Sequence, residues 1–252
     1  MKFVLYSDIH AQVAPLEAVL KEIEKEKADK EIVAGDLVML GPDPGAIVEM
    51  IRGRKNCDVI VGNLDLWVVD KRWEWMKPKN VYHEWMMYMA RDSRERMTND
   101  QLEYLRTLPF SLTYRPEPGH EFYIFHATPN EIGDSDALPL RYTDDEVKER
   151  ISGTNAEIMA HGHIHGPSIR QVGDQTIVCC AAVGMSWDGD PRPSYAVVEY
   201  KGDGKWHTEI KRVDYDYESQ AKYNENSWIQ HGDRIAKMLR TGQFWNPEHM
   251  PH

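Results

Sequence analysis

The sequence predicts an α/β fold. Three strand-then-polar-turn units follow one another through Asp65, and a second set of strands fills the chain from Phe110 onward. Its 252 residues suffice to bury a full core, either as one domain of sandwich or α/β type or as a core domain with a small insert.

Phe3-Val4-Leu5-Tyr6 is a short apolar run suited to a buried strand. Leu16, Val19, Leu20 and Ile23 repeat at helical spacing, which predicts a helix over 14–27. Between the two, Asp8 and His10 stand two residues apart at the strand's carboxyl end, where open α/β sheets place their ligands. The pattern recurs. Glu31 to Ala34 runs into Gly35-Asp36 and then a helix over 46–51, and Asp58 to Val61 runs into Gly62-Asn63-Leu64-Asp65. Aspartate, histidine and asparagine so placed are oxygen and nitrogen donors suited to divalent metals.

Residues 66–108 change character, holding four of the eight tryptophans. Tyr82, Trp85, Met86, Met89 and Ala90 fall on one helical stripe and are assigned to the core. Trp73 and Trp75, in a charged segment, are assigned to a pocket mouth. Thr98 is placed to cap a helix that Leu108-Pro109 stops. Strands follow at 110–114 and 121–125, the second delivering His126, and then a helix at 144–151 and a strand at 156–160. The segments 168–172, 176–181, 194–200 and 205–213 alternate with Gly and Asp turns, the pattern of an antiparallel meander.

The strand at 156–160 ends in His161-Gly162-His163-Ile164-His165. In extended backbone the three imidazoles would share a face, the posture of a metal site. Alone, the tract is as easily a polar surface loop.

Thirty basic against 41 acidic residues give a formal net charge of -11, which argues against binding to long nucleic acid. A small phosphate substrate stays compatible with that charge, since a bound metal brings its own positive charge. Three cysteines, two of them adjacent, make no disulfide framework, and the opening apolar run meets Ser7-Asp8 too early for a signal peptide. No apolar run approaches membrane-spanning length. A cytoplasmic protein without membrane partners is expected.

In chain order, DxH (Asp8, His10), GDxxxxG (Gly35, Asp36, Gly41), GNxD (Gly62, Asn63, Asp65), the strand-end His126 and GHxH (Gly162, His163, His165) resemble the motif set of the calcineurin-like metallophosphoesterases. Gly41-Pro42-Asp43-Pro44, the stretch from Tyr104 to Pro109 and the stretch from Asp188 to Ala196 are similar to a small prokaryotic, phosphodiesterase-like branch. The resemblance spans residues 1–215 and implies a four-layer α/β/β/α sandwich of two mixed sheets. It makes residues 1–215 a metallophosphoesterase domain with a Trp- and Met-rich helical insert at 66–108. Residues 216–252 then form a C-terminal extension of amphipathic helices with a polar end.

What the resemblance implies for the site is a pair of divalent metal ions. Asp8, His10 and His165 would hold the first, Asn63, His126 and His163 the second, and Asp36 would bridge them. Manganese, iron, zinc, cobalt and nickel all suit such ligands. Two cations so close need an anionic bridge, and together they lower the pKa of a shared water, so that a bridging hydroxide attacks phosphorus. His161 has no ligand role in the pattern and is expected to support the strand end.

Leu64 departs from the pattern. Many relatives carry histidine there to assist the leaving oxygen, with the counterpart of Asp65 orienting it; leucine can do neither. The departure points to a small phosphodiester or nucleotide as substrate, the alternatives being a phosphomonoesterase of the same fold and a metal-binding but catalytically silent regulatory protein. His83 or a water is the candidate stand-in acid. Without a histidine partner Asp65 reads as a turn or helix-capping carboxylate. Arg192 is equally a phosphate contact and a loop fastener.

Overall fold

A computed structural model describes residues 1–133, 137–180 and 182–245. Strand β1 (Lys2–Tyr6), helix α1 (Val13–Glu26), β2 (Lys30–Val33), α2 (Pro44–Arg52) and β3 (Cys57–Val59) build a parallel βαβαβ unit. Helices α3 (Asn63–Val69), α4 (Val81–Glu95) and α5 (Asn99–Thr107) follow, with a single 3-10 turn at Arg72–Glu74. The second sheet is built from β4 (Ser111–Glu117), β5 (His120–Phe125), β6 (Ile158–His161), β7 (Ser168–Val172) and β8 (Gln175–Cys179), with α6 (Asp144–Arg150) between β5 and β6. The chain then returns to the first sheet as β9 (Ser194–Tyr200) and β10 (Trp206–Arg212) and closes with α7 (Tyr217–Glu225) and α8 (Gly232–Thr241).

Both sheets are mixed and five-stranded, ordered β10-β9-β1-β2-β3 and β4-β5-β6-β8-β7. Side chains alternate across each strand, so β1 points Phe3 and Leu5 to one face and Val4 and Tyr6 to the other. Phe3, Leu5, Ile32, Phe122, Ile124, Ile158 and Val178 join in the layer between the sheets. Each such side chain contributes about 1.5–3 kcal/mol by leaving water. Val4, Tyr6, Leu16, Val19, Ile47 and Val48 form the layer beneath the helices of the first sheet. Val147 and Ile151 cover the outer face of the second through Phe125, Met159 and Ile177. This is the expected α/β/β/α sandwich.

The later strands do not form one meander. β7 and β8 are an antiparallel hairpin whose second strand lies parallel to β6, whereas β9 and β10 pair in the other sheet, β9 antiparallel to β1. The physical reason is burial on both faces. Ser194 to Val198 are all buried, as a strand beside the centre of a two-sided sheet requires, whereas an edge meander would alternate. The strand expected at 176–181 ends at Cys179, and Ala181 lies outside the described residues.

The stripe on α4 is core at Trp85, Met86, Met89 and Ala90. The 66–108 segment packs helix on helix through α3, α4 and α5. Ala221, Ile235, Ala236, Met238 and Leu239 of α7 and α8 are buried in the same layer as α1 and α2. A buried amide network fastens α7 to the turn after β1: Gln12 Nε2 donates to Asn224 Oδ1 (3.1 Å) and Leu40 O (3.2 Å), while Gln220 Nε2 donates to Gln12 Oε1 (2.7 Å). The polar end expected at 246–252 lies outside the described residues. Among those described, no helix is long and apolar enough to cross a membrane.

Candidate metal centre

The strand ends converge on one side of the sandwich. Asp8 and His10 follow β1, Asp36 follows β2, Asn63 opens α3 after β3, His126 follows β5, and His163 and His165 follow β6. Five of these seven, Asp8, His10, Asp36, His163 and His165, have positive φ between 51° and 67°. Left-handed backbone is uncommon for side-chain-bearing residues and costs of order 1 kcal/mol or more, a form of strain that gathers at functional sites.

Two clusters result, Asp8 with His10 and His165, and Asp36 with His126 and His163, the potential ligand atoms in each lying within 4.8 Å of one another. In the first, Asp8 Oδ1 is 3.5 Å from His165 Nε2 and 3.9 Å from His10 Nε2, and the two imidazole nitrogens are 3.0 Å apart. His165 Nδ1 faces the carbonyl of Met185 at 2.5 Å, which can only accept, so Nε2 presents its lone pair to the cluster. In the second, Asn63 Oδ1 is 3.0 Å from His126 Nε2 and 3.2 Å from His163 Nδ1, and His126 Nδ1 donates to Ala34 O at 2.7 Å. Asp36 Oδ2 lies between the clusters, 3.4 Å from His126 Nε2 and 4.0 Å from His10 Nε2.

The donor set fits a divalent cation at each cluster. Asp8 Oδ1 is buried with no hydrogen-bond partner among the described residues, while Asp8 Oδ2 accepts from Ser7 Oγ (2.5 Å) and His163 N (2.9 Å). An orphaned buried carboxylate oxygen is costly, and a cation among it and two imidazole nitrogens would satisfy all three. Close approach depends on glycine at Gly62, where an added Cβ would stand 2.1 Å from Asp36 N and Oδ1.

Electrostatics follow from burial and mutual charge. Burial pushes the carboxyl of Asp8 up, yet His165, His126 and His10 together pull it below the usual carboxylate range. Burial depresses His126, but Asp36, Asp8 and the Ala34 carbonyl together outweigh it and raise the imidazole to about 10. Burial first, then the charge of a neighbouring histidine, His165 and His126 respectively, lowers His10 and His163 to about 4. His161, lowered by burial to about 4, turns from both clusters, its Nδ1 facing Gly162 O at 2.9 Å and its ring stacked on Phe125 at 5.9 Å.

The clusters open into a cavity of about 360 Å³. Beyond the histidines, Asp36 and Asn63, its walls include Leu64, Tyr82, Met86, Arg141, Trp187 and Phe244. Several expected site residues stand elsewhere. Asp65 is fully buried and does not line the cavity, because its carboxylate accepts four backbone N–H groups, from Gly62, Asp36, Leu37 and Val38, at 2.9–3.2 Å. Burial, then the charge of Asp36, raises its pKa to about 7. Arg192 is a loop fastener, with Nη2 2.7 Å from Asp190 Oδ2 and Nη1 3.6 Å from Asp214. His83 is also off this cavity, its ring edge-on to Trp67 at 5.7 Å.

Trp73 does line a pocket, with Pro78 and Met87, but one separate from the clusters, and Trp75 is 64% exposed and lines neither. The mouth is instead formed by Trp187 and Phe244, which the sequence reading missed, and by Tyr82, which it placed in the core. Tyr82 does both, packing against the core cluster and, like Met86 one turn on, lining the cavity with part of its side chain. Pro139 and Arg141 bring the loop between β5 and α6 to the cavity; residues 134–136 of that loop lie outside those described.

A sandwich of two mixed sheets whose strand ends gather paired carboxylate and histidine clusters defines a metallophosphoesterase fold. The calcineurin-like phosphoesterase superfamily domain matches residues 1–203, and the chain belongs to that superfamily. Over 248 residues the chain is 26% identical to an uncharacterized protein of Methanocaldococcus jannaschii, covering 91% of this chain and 95% of the relative. A metallophosphoesterase from Sphaerobacter thermophilus superposes with a TM-score of 0.73 at 20% identity, covering 96% of this chain and 99% of the other. A hypothetical protein from Pyrococcus horikoshii OT3 superposes with a TM-score of 0.80 at 18% identity, covering 96% and 98%. At those identities the likeness is one of fold.

Proposed function

We propose that this protein hydrolyses a small phosphate ester, a phosphodiester or nucleotide in preference to a phosphomonoester, at a centre of two divalent metal ions. The observation that carries the reading is the pair of buried clusters, Asp8/His10/His165 and Asp36/His126/His163, opening into one cavity. Asp8, His10 and His165 would hold one ion, Asn63, His126 and His163 the other, and Asp36 would serve both. When bound, such a pair supplies charge to polarise a phosphoryl oxygen and to acidify a water.

The protein's own groups do the rest. Ser7 and the His163 N–H hold Asp8 Oδ2, leaving Oδ1 aimed at the imidazoles. The Met185 and Ala34 carbonyls face Nδ1 of His165 and His126, which leaves Nε2 of each turned to the clusters as the nitrogen that would meet an ion. Asp65 positions the turn that carries Asp36. Leu64, at the cavity wall, gives the leaving oxygen no proton, which favours esters whose leaving group departs unaided.

The test is hydrolysis of an aryl phosphodiester and the matching aryl phosphomonoester by protein of measured manganese content. Diester turnover that exceeds monoester turnover and disappears on chelation is expected. No turnover of either ester by the loaded protein would overturn the reading in favour of a metal-binding, catalytically silent protein.

A further inference from the structure

The cavity over the clusters is walled by rings from separate segments: Tyr82 from α4, Trp187 from the loop before β9, and Phe244 from the segment after α8. Trp187 lies flat on His165, with ring centroids 3.7 Å apart and planes 11° apart. Phe244 meets Trp187 at 4.7 Å and 61°, and Tyr82 at 6.2 Å and 79°. A chain of rings thus leads from a cluster histidine to the cavity mouth. Phe244 is 45% exposed, although its position is fixed by backbone. Gly242 ends α8 at φ 61°, its N–H donates to Met238 O (2.9 Å), and its carbonyl accepts the Gly189 N–H (2.8 Å). A Cβ at Gly242 would stand 2.7 Å from Asp190 backbone atoms, so this turn ties the Phe244 segment to the Trp187 loop. That segment lies beyond the residues the superfamily domain matches.

We propose that Tyr82, Trp187 and Phe244 bind a planar aromatic group, nucleobase or aryl, of the phosphate ester whose phosphorus lies at the clusters. The inference rests on the hydrolytic reading and names which esters it applies to. Rings meeting at steep angles present faces and edges that a flat ring can engage by stacking and edge-to-face contact, where a flexible alkyl group would gain only burial. About 360 Å³ is near the small end of ligand pockets, which suits a mononucleotide-sized molecule. For an aryl ester the aromatic alcohol is also the leaving group, and it is the one that needs least from Leu64; for a nucleotide the base is bound while a ribose oxygen leaves.

Non-hydrolysable ligands test it. Titration calorimetry compares phenylphosphonate, the phosphonate analogue of adenosine 5′-phosphate, and methylphosphonate on manganese-loaded and metal-free protein. Wild type is expected to prefer both ringed ligands to methylphosphonate by about tenfold or more. Phe244→Ala should lose most of that preference, Phe244→Tyr should keep it, and Phe244→Leu, which restores apolar bulk without a ring, should not regain it. The tighter of the two ringed ligands identifies the source of the aromatic group. Absence of the preference in wild type, or its full recovery by Phe244→Leu, would overturn the proposal. Loaded wild type that turns over no phosphate ester defeats the hydrolytic reading alone, because ring preference is read from binding without chemistry.

Discussion

Asp65 Oδ2 accepts the backbone N–H of Asp36 at 3.0 Å, and the same oxygen accepts the N–H of Gly62 at 2.9 Å. The carboxylate therefore joins the turns that follow β2 and β3, and its other oxygen takes Leu37 N and Val38 N. Asp36, whose Oδ1 in turn accepts Leu64 N at 2.8 Å, is fixed from both sides.

Asp65→Asn keeps the shape of that clamp but gives up one acceptor oxygen for an amide that faces N–H donors. A loss of about 2 kcal/mol in unfolding free energy is expected, from N–H groups left buried without an acceptor. Because Asp36 moves with the turn, metal affinity should fall as well. Denaturant melts and metal titration read the two effects, and a variant with wild-type affinity would contradict the coupling.

Asp36→Asn removes the charge that lies between the clusters. Metal affinity is expected to drop by roughly tenfold or more, and bound metal per chain, measured by elemental analysis, should fall below the two equivalents expected of wild type. Chelation of wild type should lower its melting temperature, since an ion present at a hundred times its dissociation constant stabilises by about 2.7 kcal/mol per site. An unchanged melting temperature would argue against ions at these clusters.

Leu64→His places an ionisable ring on the cavity wall where leucine now stands. The ratio of monoester to diester turnover is expected to rise by about tenfold, since the looser transition state of a monoester puts more charge on the leaving oxygen and gains more from a general acid. A ratio that stays constant would show that leaving-group protonation does not set the preference.

Glu26 offers a pH test away from the metal centre. Burial raises its pKa, but Lys2 (2.5 Å), Lys211 (2.6 Å) and Tyr195 (2.9 Å) outweigh burial and hold it at about 2, below its ordinary 4.5. A depressed folded pKa means stabilisation that is complete above about 4.5 and lost as pH falls towards 2. In chelated protein, the gap in melting temperature between wild type and Glu26→Gln should be open at pH 5 and close towards pH 2. A gap independent of pH would assign the effect to packing.

Much of the site could be read from sequence because it is locally encoded. Asp8 and His10, Gly35 and Asp36, and Gly62 and Asn63 each sit in a few residues directly after an apolar strand, so a short window holds both the strand and its donors. The helical stripe on α4 gave the core correctly at Trp85, Met86, Met89 and Ala90. Trp187 and Phe244 had no such window. Their meeting depends on a left-handed turn at Gly242 and on one backbone hydrogen bond from Gly189, and no periodicity announces either. The only hint was an apolar ring one residue before the polar Asp188-Gly189-Asp190 loop. The division of the later strands between two sheets was hidden because Gly and Asp turns look alike whether a chain folds back beside its neighbour or crosses to another layer. The unbroken apolar run Tyr195-Ala196-Val197-Val198 was the available signal for the crossing.

Each cluster draws donors from both sheets. Asp8 and His10 come from the first and His165 from the second, while Asp36 and Asn63 come from the first and His126 and His163 from the second. A chain halted before His126 owns four of the seven donors and completes neither cluster. Ions seated there would therefore act as rivets through the sandwich, opposing separation of the two layers in the way a crosslink does, and the protein becomes able to hold them only once its halves have met.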